Sequence, residues 1–563
     1  MERVDLVNYI IAKNGYKTYL EIGVGDPYLA FLKINCENKE GCDPYEEFSR
    51  ADFPNCDLGF LLSTITYRMT SDEMFGKMDP EKKYDIIFID GYHSEVCSKR
   101  DIMNSLKHLN DGGTIVVHDC LPSEEKYTGD HRSTVTWYGN VYRSIMDLGK
   151  IGAKYTTVRE HKFNGCAIIP YQKLNEEQER EYLKPSSFTY SDYENEMFSK
   201  MHLVDISVYG KTIAIYHNSE YLKIRGNRAE DGKLAFGATE AWVYGISEEL
   251  SKWCFDVTVF TDAFAEGPHF AKYMERSSED LKNYFDVLLM TTDIERSREL
   301  SFGKFIALPT CEYFNTNFGG MVIMDKLGTL SEWQELRFSE SYSAHSSMMF
   351  RHFLPCKYDL YENYISYEKE NSMVWSSAPI RGLRFFVERV MPKIRAVFPD
   401  FKLYICGYST DYYEKEWPKY VDGVEEMIIA DRETLSELQK KSKIWVYPNI
   451  GRSETSGYFY ETYCVTAVEN AMAGNAIVCF GGKDGISSTL EGYSGLIDGT
   501  KYNENDPNFF LWYEEAANEL AMQAIKILLD DAYRKALSEE ARSICEKYTW
   551  EHEAEIIVKN ISA

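Results

Sequence analysis

The sequence predicts an α/β protein with three parallel sheets, one in a first domain and two in the lobes that follow it. Short, continuous apolar runs alternate with helical patterns along the chain, as buried parallel strands alternate with helices. These runs fall into three groups, within residues 1–172, 206–365 and 366–563. The chain has 563 residues, of which 44% are hydrophobic, which suits three or four domains of roughly 150 residues each.

Charge and cysteine content exclude several classes of protein. The chain has 89 Asp and Glu against 62 Lys and Arg, a formal charge of −27, so it should repel nucleic acid and anionic membrane surfaces. It contains no run of 18 apolar residues, so no membrane insertion is predicted. Its 13 cysteines form no C-x-x-C pair and no secretion signal is visible. Reduced thiols and a cytoplasmic location are therefore expected.

Residues 173–205 are predicted to be an acidic linker between the first domain and the two lobes. The stretch 173–200 is acidic, has few aliphatic residues and carries a Pro-Ser-Ser break at Pro185. On this interpretation few contacts cross the segment, so a cut near Pro185 should give two separate halves.

The first two strands of the first domain end in residues that suit a nucleoside. The first strand runs into Glu21-Ile-Gly23-Val-Gly25, where the two glycines would let the backbone approach a ligand closely. Asp43 follows the second strand. A carboxylate in this place suits a ribose, because it can accept hydrogen bonds from two hydroxyl groups.

The next two strands end in residues that suit acid–base chemistry. One strand leads into Asp90-Gly-Tyr-His93, and the following strand leads into His118-Asp119. Transfer to a hydroxyl group requires that the hydroxyl lose its proton, and a histidine that titrates near neutrality is well matched as the base. His93 is the candidate. The alternative is that Asp90 and His93 only cap a turn at the end of the strand.

With these motifs in order, residues 1–170 resemble the class I S-adenosylmethionine-dependent methyltransferases, most closely those that O-methylate sugars. The resemblance implies a Rossmann-like domain, S-adenosylmethionine as the cofactor and His93 as the base. By position, it assigns the cofactor site to Glu21, Gly23, Gly25, Asp43, Ser71, Asp72 and Asp90.

The same resemblance implies a divalent metal such as Mg²⁺, held by Asp90, His118 and Asp119. A histidine among the ligands would shift the preference from magnesium toward a transition metal. The alternative that His118 and Asp119 have only a structural role stays equally open.

The second half of the chain carries two glutamates, Glu461 and Glu469, separated by seven residues. The second lies in a predicted helix that ends near Gly474, and a rise of about 1.5 Å per residue would place the two roughly 12 Å apart along the axis. This spacing suits one carboxylate at a sugar and the other at a ribose. The backbone N–H groups of 462–464 would then hold a diphosphate at the start of the helix.

Residues 206–563 resemble the retaining GT-B glycosyltransferases with a Glu-x7-Glu motif. The resemblance rests on these glutamates, the preceding Arg381-Gly-Leu, the Tyr447-Pro pair and a closing Tyr-Thr-Trp-Glu. It implies a pair of Rossmann-like lobes, with the acceptor lobe at 206–365 and the donor lobe at 366–563, and a final helix that packs back on the first lobe. Glu461 would contact the donor sugar, Glu469 the ribose and Arg381 the leaving diphosphate. The implied nucleotide-sugar site comprises Gly237, Ala238, Arg381, Tyr447, Glu461, Thr462, Tyr463, Cys464 and Glu469.

Together, these patterns predict a bifunctional enzyme of glycan assembly. It would O-methylate a sugar hydroxyl and transfer a sugar from a nucleotide-diphosphate donor to an oligosaccharide or glycan acceptor. One alternative keeps only the glycosyltransferase active, with the first domain as a binding or scaffold module. Another is a carbohydrate-binding protein without catalysis. The sequence does not indicate the sugars, the nucleotide, the methylated position or the oligomeric state.

Overall fold

The computed structural model describes residues 2–44, 63, 65–132, 134, 136–159, 164–218, 238–262, 269–310, 323–342, 344–406, 422–427, 430–449, 452–453, 457–458, 460–482, 484–502 and 509–563. The chain divides into two units. The first comprises Met1–Lys211, Glu249–Asp256 and Ser562, and the second comprises Thr212–Glu248, Val257–Ile561 and Ala563.

The first unit is built on a seven-stranded sheet. Its strands are β1 (Thr18–Ile22), β2 (Asn38–Cys42), β3 (Tyr84–Ile89), β4 (Leu109–Val117), β5 (Thr156–Arg159), β6 (Gly165–Pro170) and β7 (Leu203–Val204). Its helices are α1 (Arg3–Asn14), α2 (Ser71–Lys77), α3 (Glu95–Lys107), α4 (Val141–Lys150), α5 (Glu176–Tyr182) and α6 (Tyr190–Lys200). The strand order is β2-β1-β3-β4-β6-β5-β7, and only β6 runs antiparallel to its neighbours. The predicted parallel core with crossover helices is therefore confirmed.

Local sequence chemistry sets where these helices begin. The side chains of Thr70, Ser94, Asn175 and Thr189 accept hydrogen bonds from backbone N–H groups in the first turns of α2, α3, α5 and α6. Such caps satisfy donors that have no partner inside the helix. These side chains therefore set the first residues of the four helices.

The predicted linker at 173–205 is wrong, because this segment is part of the first unit. It forms α5, α6 and β7, and β7 pairs with β5 in parallel. Tyr182, Tyr193, Met201 and Leu203 are buried in the hydrophobic core beneath the sheet. The acidic residues lie on the outer side of the two helices, so the composition reflects a solvated face rather than a chain without a fold.

Among its described residues, the second unit contains two further parallel sheets and a separate pair of short antiparallel strands. Its first sheet consists of β8 (Thr212–Tyr216), β9 (Asp256–Phe260), β10 (Lys272–Met274), β11 (Tyr284–Met290), β12 (Ser301–Ala307), β13 (Lys326–Thr329) and β14 (Met349–Arg351). The later strands are β15 (Ser372–Trp375), β16 (Lys402–Cys406), β17 (Val424–Met427), β18 (Ile444–Tyr447), β19 (Arg452–Ser453), β20 (Gly457–Tyr458), β21 (Ala476–Gly481) and β22 (Ile497–Asp498). The helices of this half are α7 (Ala238–Lys252), α8 (Glu332–Tyr342), α9 (Leu383–Phe385), α10 (Met391–Arg395), α11 (Arg432–Lys441), α12 (Val465–Met472), α13 (Ile486–Thr489), α14 (Tyr513–Leu529), α15 (Asp531–Cys545) and α16 (Trp550–Ser562).

Both sheets of the second unit have the doubly wound order. The first is fully parallel in the order β10-β9-β8-β11-β12-β13-β14. The later strands form β15-β16-β17 and β18-β21-β22, and a parallel bridge between Glu370 and Ser442 joins these two groups. Through this bridge the order is β17-β16-β15-β18-β21-β22, so each lobe steps outward from its first strand and then crosses to the other side. The predicted fold class, α/β with a Rossmann-like first domain and a pair of Rossmann-like lobes, is confirmed.

Two local features adapt the second unit. A π-helical segment at Phe386–Val390 joins α9 to α10, because Pro392 lacks an N–H and its ring would collide with the carbonyl four residues earlier. In the last helix, the buried carboxylate of Glu553 accepts from Trp242 Nε1 at 2.8 Å and contacts His352 Nδ1 at 3.0 Å. These contacts fasten α16 to the lobe that contains β8–β14.

Within the described ranges, no helix is long and apolar enough to cross a lipid bilayer. The described cysteines carry free thiols.

Candidate active sites

The first site lies at the carboxyl edge of the sheet of the first unit. Gly23 follows β1 with φ +84°, and a Cβ added there would lie 2.2 Å from the carbonyl oxygen of Asp90, which follows β3. Asp90 N donates to the carbonyl of Ile22 at 2.9 Å. The absence of a side chain at Gly23 therefore lets the ends of β1 and β3 meet. The close approach of this glycine to a ligand, which the sequence predicts, stays a prediction.

The ends of β1 and β2 are joined by the predicted ribose residue. Gly25 N donates to Asp43 Oδ2 at 3.0 Å, and Gly25 has φ +51°. Asp43 is 9% exposed, so its carboxylate is held at the rim of the sheet rather than in bulk water. Both residues lie at the carboxyl edge of the sheet, where α/β proteins commonly bind ligands.

Ser71 and Asp72 open α2, which follows a segment bonded to the end of β2. Asp43 N donates to the carbonyl of Tyr67 at 3.1 Å, which brings this segment next to the predicted ribose site. Asp72 pairs with Arg100 of α3 at 3.0 Å, and both side chains are nearly half exposed. The carboxylate of Asp72 thus faces α3 in this conformation.

Glu21 is a buried acidic residue in β1. Its carboxyl accepts a hydrogen bond from the hydroxyl of Tyr19, and only 1% of the residue is exposed. Burial is the main reason that the pKa of Glu21 rises to about 8. Burial therefore favours the protonated form of Glu21.

His93 is held in an orientation that suits a proton acceptor. Its Nδ1 lies 3.0 Å from the carbonyl oxygen of Trp137, and its ring stacks on the indole at a centroid distance of 5.1 Å. A carbonyl can only accept, so Nδ1 carries the proton and Nε2 is left to act as the base. Nε2 lies 3.6 Å from Asp90 Oδ1 and 3.4 Å from Asp119 Oδ2. Burial lowers the pKa of His93, but these two carboxylates outweigh it and the pKa lies above its ordinary value.

His118 and Asp119 complete this cluster, and Arg3 joins it. His118 Nδ1 lies 3.1 Å from Asp90 Oδ1 and 3.3 Å from Asp119 Oδ2. Arg3 Nη1 donates to Asp90 Oδ2 at 3.0 Å and lies 3.3 Å from His118 Nδ1. Asp119 has a positive φ of 57°, an uncommon backbone conformation that turns its carboxylate toward the two imidazoles.

The donors of this cluster do not fit the predicted Mg²⁺. One ligand atom each of Asp90, His93 and Asp119 lies within 4.8 Å of the others, so the grouping itself is compact. Magnesium, however, requires near-octahedral oxygen ligands, and only the two carboxylates supply them here. Asp90 is already bound by the guanidinium of Arg3. No step of the chemistry below passes through a metal.

A family comparison covers the part of the chain that forms this site. Residues 20–120 match a family model described as a methyltransferase domain. The match spans β1 to β4 and confirms the resemblance that the sequence predicts for the first domain.

The second site lies in the second unit and is centred on Glu461. This carboxylate is 2% exposed and accepts hydrogen bonds from Arg381 and from the hydroxyl of Tyr447, the last residue of β18. Glu461 N donates to Asp484 Oδ2 at 3.2 Å. Burial, and next the charge of Glu461, raises the pKa of Asp484 to about 7. The structure thus brings together three of the predicted residues and adds Asp484 beside them.

Glu469 lies in α12 and is paired with an arginine that the sequence did not indicate. Its carboxylate is 5% exposed and accepts from Arg432, the first residue of α11. The side chain of Arg432 is 40% exposed, so it lies partly at the surface. Each glutamate of the motif is therefore matched with its own arginine.

The predicted helix start at Glu461 is wrong, because α12 begins at Val465. Glu461 precedes it in a non-helical segment, so the helical rise does not give the distance between the two glutamates. The expected cradle of N–H groups differs as well, since Cys464 N donates to Thr489 Oγ1 at 3.2 Å. Tyr463 is 6% exposed and its ring meets Tyr548 edge-on at 5.7 Å, which directs it into the core.

Thr462 links the Glu461 segment to the first lobe of the second unit. Its hydroxyl donates to the carbonyl of Thr310 at 2.9 Å, and Thr310 Oγ1 lies 2.8 Å from Thr239 Oγ1 in the first turn of α7. Ala238 begins α7 and is exposed, whereas Gly237 lies outside the described residues. The predicted helix-start position of the first lobe is thus close to the donor-lobe segment that carries Glu461.

Several solved structures are similar to the second unit in outline. A sucrose-phosphate synthase from Thermosynechococcus elongatus is 14% identical with a TM-score of 0.43, covering 61% of this chain and 96% of its own. A glycosyltransferase from Rickettsia africae is 12% identical with a TM-score of 0.44, covering 62% and 98%. The Anabaena protein HepE, in complex with UDP and glucose, is 10% identical with a TM-score of 0.43, covering 62% and 99%. No curated protein matches the chain. The architecture of the second unit is taken from its own strand order.

Three residues at these sites escaped the sequence reasoning. Arg3 stands in a helix far from Asp90 in the chain, and no local motif connects the two. Arg432 lies between a strand and a helix, a position at which α/β proteins often contact ligands. This position could have indicated Arg432 from the sequence. Asp484 lies in a loop after β21, where the sequence offers a similar but weaker indication.

Proposed function

We propose that the chain is a bifunctional enzyme of glycan assembly. The first unit transfers a methyl group from S-adenosylmethionine to a sugar hydroxyl. The second unit transfers a sugar from a nucleotide-diphosphate donor to an oligosaccharide or glycan acceptor, with retention of configuration. A single observation carries the proposal: each unit gathers its candidate residues at the carboxyl edge of its own parallel sheet, where α/β proteins bind their ligands. We also propose that the protein is cytoplasmic. The boundary between the acceptor lobe and the donor lobe is proposed to lie at residues 365–366.

Methyl transfer in the first unit rests on His93. S-adenosylmethionine, when bound, supplies a methyl group on a positively charged sulfur. His93 Nε2 accepts the proton of the sugar hydroxyl while the hydroxyl oxygen bonds to the methyl carbon and the carbon–sulfur bond breaks. The bond from Nδ1 to Trp137 keeps the base in the required tautomer. Asp90 and Asp119 face Nε2 and stabilise the imidazolium that forms.

The cofactor fits the residues at the ends of β1 and β2. Gly23 has no side chain where β1 ends against Asp90, and Asp43 is anchored by Gly25 N through one oxygen. A carboxylate so oriented suits the two ribose hydroxyls. These contacts support binding of the nucleoside part of the cofactor at the ends of β1 and β2.

Glycosyl transfer in the second unit rests on two paired glutamates. Glu461 would hold a hydroxyl of the donor sugar, and Glu469 would hold the ribose. Arg381 would meet the negative charge that grows on the diphosphate as it leaves, which stabilises the transition state. The acceptor oxygen attacks from the face that the diphosphate leaves, and the diphosphate takes the acceptor proton. The pairing of Arg381 with Glu461 supports this role, because it places a cation beside the sugar-binding carboxylate.

Calorimetry on the full chain tests the proposal with two matched variants. The ligands are S-adenosylmethionine and a panel of nucleoside diphosphates. We expect Asp43→Ala to weaken the binding of S-adenosylmethionine by about 10- to 100-fold, because charged hydrogen bonds worth about 1.5–3 kcal/mol are lost. The affinity for the diphosphate should not change. Glu469→Ala should do the reverse. The proposal fails if neither ligand binds to the wild type, or if each variant binds both ligands as tightly as the wild type does.

A further inference from the structure

Arg3 occupies the place that the family resemblance gives to a divalent metal. A single nitrogen of its guanidinium, Nη1, lies 3.0 Å from Asp90 Oδ2 and 3.3 Å from His118 Nδ1. These are two of the three residues predicted to bind the metal. The third, Asp119, faces the imidazoles of His93 and His118 at 3.4 and 3.3 Å. All three predicted ligands therefore already have a nitrogen partner from the chain.

Arg3 offsets part of the negative charge of the cluster without an added ion. Asp90 and Asp119 bring two negative charges, and their side chains are only 14% and 10% exposed. Buried carboxylates need a cation or several hydrogen bonds nearby. Arg3 supplies a permanent positive charge, since a guanidinium does not lose its proton in proteins. A divalent ion bound to Asp90 and His118 would have to displace Arg3 from both, because like charges at such distances repel strongly.

The side chain of Arg3 is itself partly enclosed. It is 24% exposed and comes from the first residue of α1, an element that precedes the strands carrying the other site residues. An arginine on a free surface would extend into water. The partial burial and the contact to two site residues indicate a built part of the cluster rather than a chance neighbour.

Resting on the proposed methyl transfer, we infer that Arg3 replaces the divalent metal as the cation of this site and that methyl transfer proceeds without a metal. Arg3 is a positioning residue: it holds Asp90 in place and leaves Nε2 of His93 to take the hydroxyl proton. The atoms balance as in the proposed reaction, since the proton goes to His93 and the methyl group goes from sulfur to oxygen. The acceptor hydroxyl is then aligned by side chains and not by coordination to an ion.

Electron paramagnetic resonance of Mn²⁺ titrated into the full chain tests this inference without any turnover. We expect Arg3→Gln to gain a Mn²⁺ site at least about tenfold tighter than any shared with the wild type. Adding Asp90→Asn to Arg3→Gln should remove that site again. Loss of the site in the double variant would distinguish it from weak Mn²⁺ binding elsewhere on this acidic protein. Arg3→Lys keeps the charge and should not gain the site. Arg180→Gln, which removes an exposed arginine of α5, is the control for the change in net charge.

The inference is overturned if the wild type binds Mn²⁺ at a site that Asp90→Asn removes. It is also overturned if folded Arg3→Gln, as judged by circular dichroism, gains no site. In a methyl-transfer assay, a chelator should leave wild-type turnover unchanged, and Arg3→Gln should lower it, with partial rescue by Arg3→Lys. Wild-type protein that transfers no methyl group at all would instead refute the proposed function, while the Mn²⁺ titration would still decide the role of Arg3.

Discussion

A buried lysine ties the segment 173–205 to the first unit, and its replacement gives a direct test of that assignment. Lys99 lies in α3 with 3% of its side chain exposed. Its Nζ contacts Glu95 Oε1 at 3.0 Å and Asp147 Oδ2 at 2.6 Å, and it donates to the carbonyl of Lys184 at 2.6 Å. One ammonium group thus joins α3 and α4 to the supposed linker.

The expected cost follows from what remains after Lys99→Met. The substitution keeps the apolar stem but leaves Glu95 and Asp147, at 11% and 6% exposure, without their central cation. Arg143 is 4.0 Å from Glu95, and Lys150 is 3.1 Å from Asp147, but both of these side chains are about one-third exposed. Removing one partner of a buried ion pair costs about 3–5 kcal/mol, because the other charge is left buried. We expect a loss of that size in the free energy of unfolding of the first unit.

Hydrogen exchange read by mass spectrometry is the suitable assay, since a chain with two units does not unfold in one transition. Peptides from α3, α4 and α6 should lose protection together in Lys99→Met. The control is Lys107→Met on the same helix, whose pair with Glu179 at 3.5 Å is 57% and 37% exposed and should contribute less than about 1 kcal/mol. Equal effects of the two substitutions, or unchanged protection of α6 in Lys99→Met, would refute the reasoning.

Three further predictions concern the two sites. The rate of methyl transfer should rise with pH through the pKa of His93, which lies above 6.5, because only the neutral ring accepts a proton. His93→Ala should lower turnover by about 10²–10⁴-fold. A rate that does not change with pH would contradict the role of His93 as the base. Gly23→Ala should abolish S-adenosylmethionine binding in calorimetry, since its Cβ would lie 2.2 Å from a backbone oxygen. Gly25→Ala meets no atom within 4 Å and should cost only about 1–2 kcal/mol of stability. Glu461→Ala should lower donor turnover more than the affinity for the diphosphate, because the lost contact orients the sugar. Glu469→Ala should lower the affinity for the diphosphate more than donor turnover. Equal effects of either variant on both quantities would contradict the assigned roles.

Local patterns were sufficient where the chemistry is local. The apolar runs predicted the strands. The sequence predicted that Gly23 approaches a ligand closely, and the structure shows that the missing side chain lets β1 approach Asp90. Glu461 and Arg381 were found from their motifs, and the structure pairs them directly.

What escaped the sequence depends on contacts between distant parts of the chain. The segment 173–205 was interpreted by its charge, but Tyr182 and Tyr193 supply the apolar face that packs it on the core. Arg3 reaches Asp90 only through the folded sheet, so no spacing in the sequence indicates the pair. The start of α12 at Val465 depends on tertiary contacts of Cys464, which helix patterns do not contain.

The central claim is that one chain carries two separate transferase sites, one in each unit. The most direct measurement is mass spectrometry of glycan products formed by the full chain from S-adenosylmethionine, a panel of nucleotide sugars and candidate acceptors. We predict that the wild type forms products with an added methyl group and products with an added sugar. His93→Ala should lose only the methyl products, and Glu461→Ala should lose only the glycosylated ones. Loss of both product types in either folded variant, or no dependence on either residue, would contradict the account.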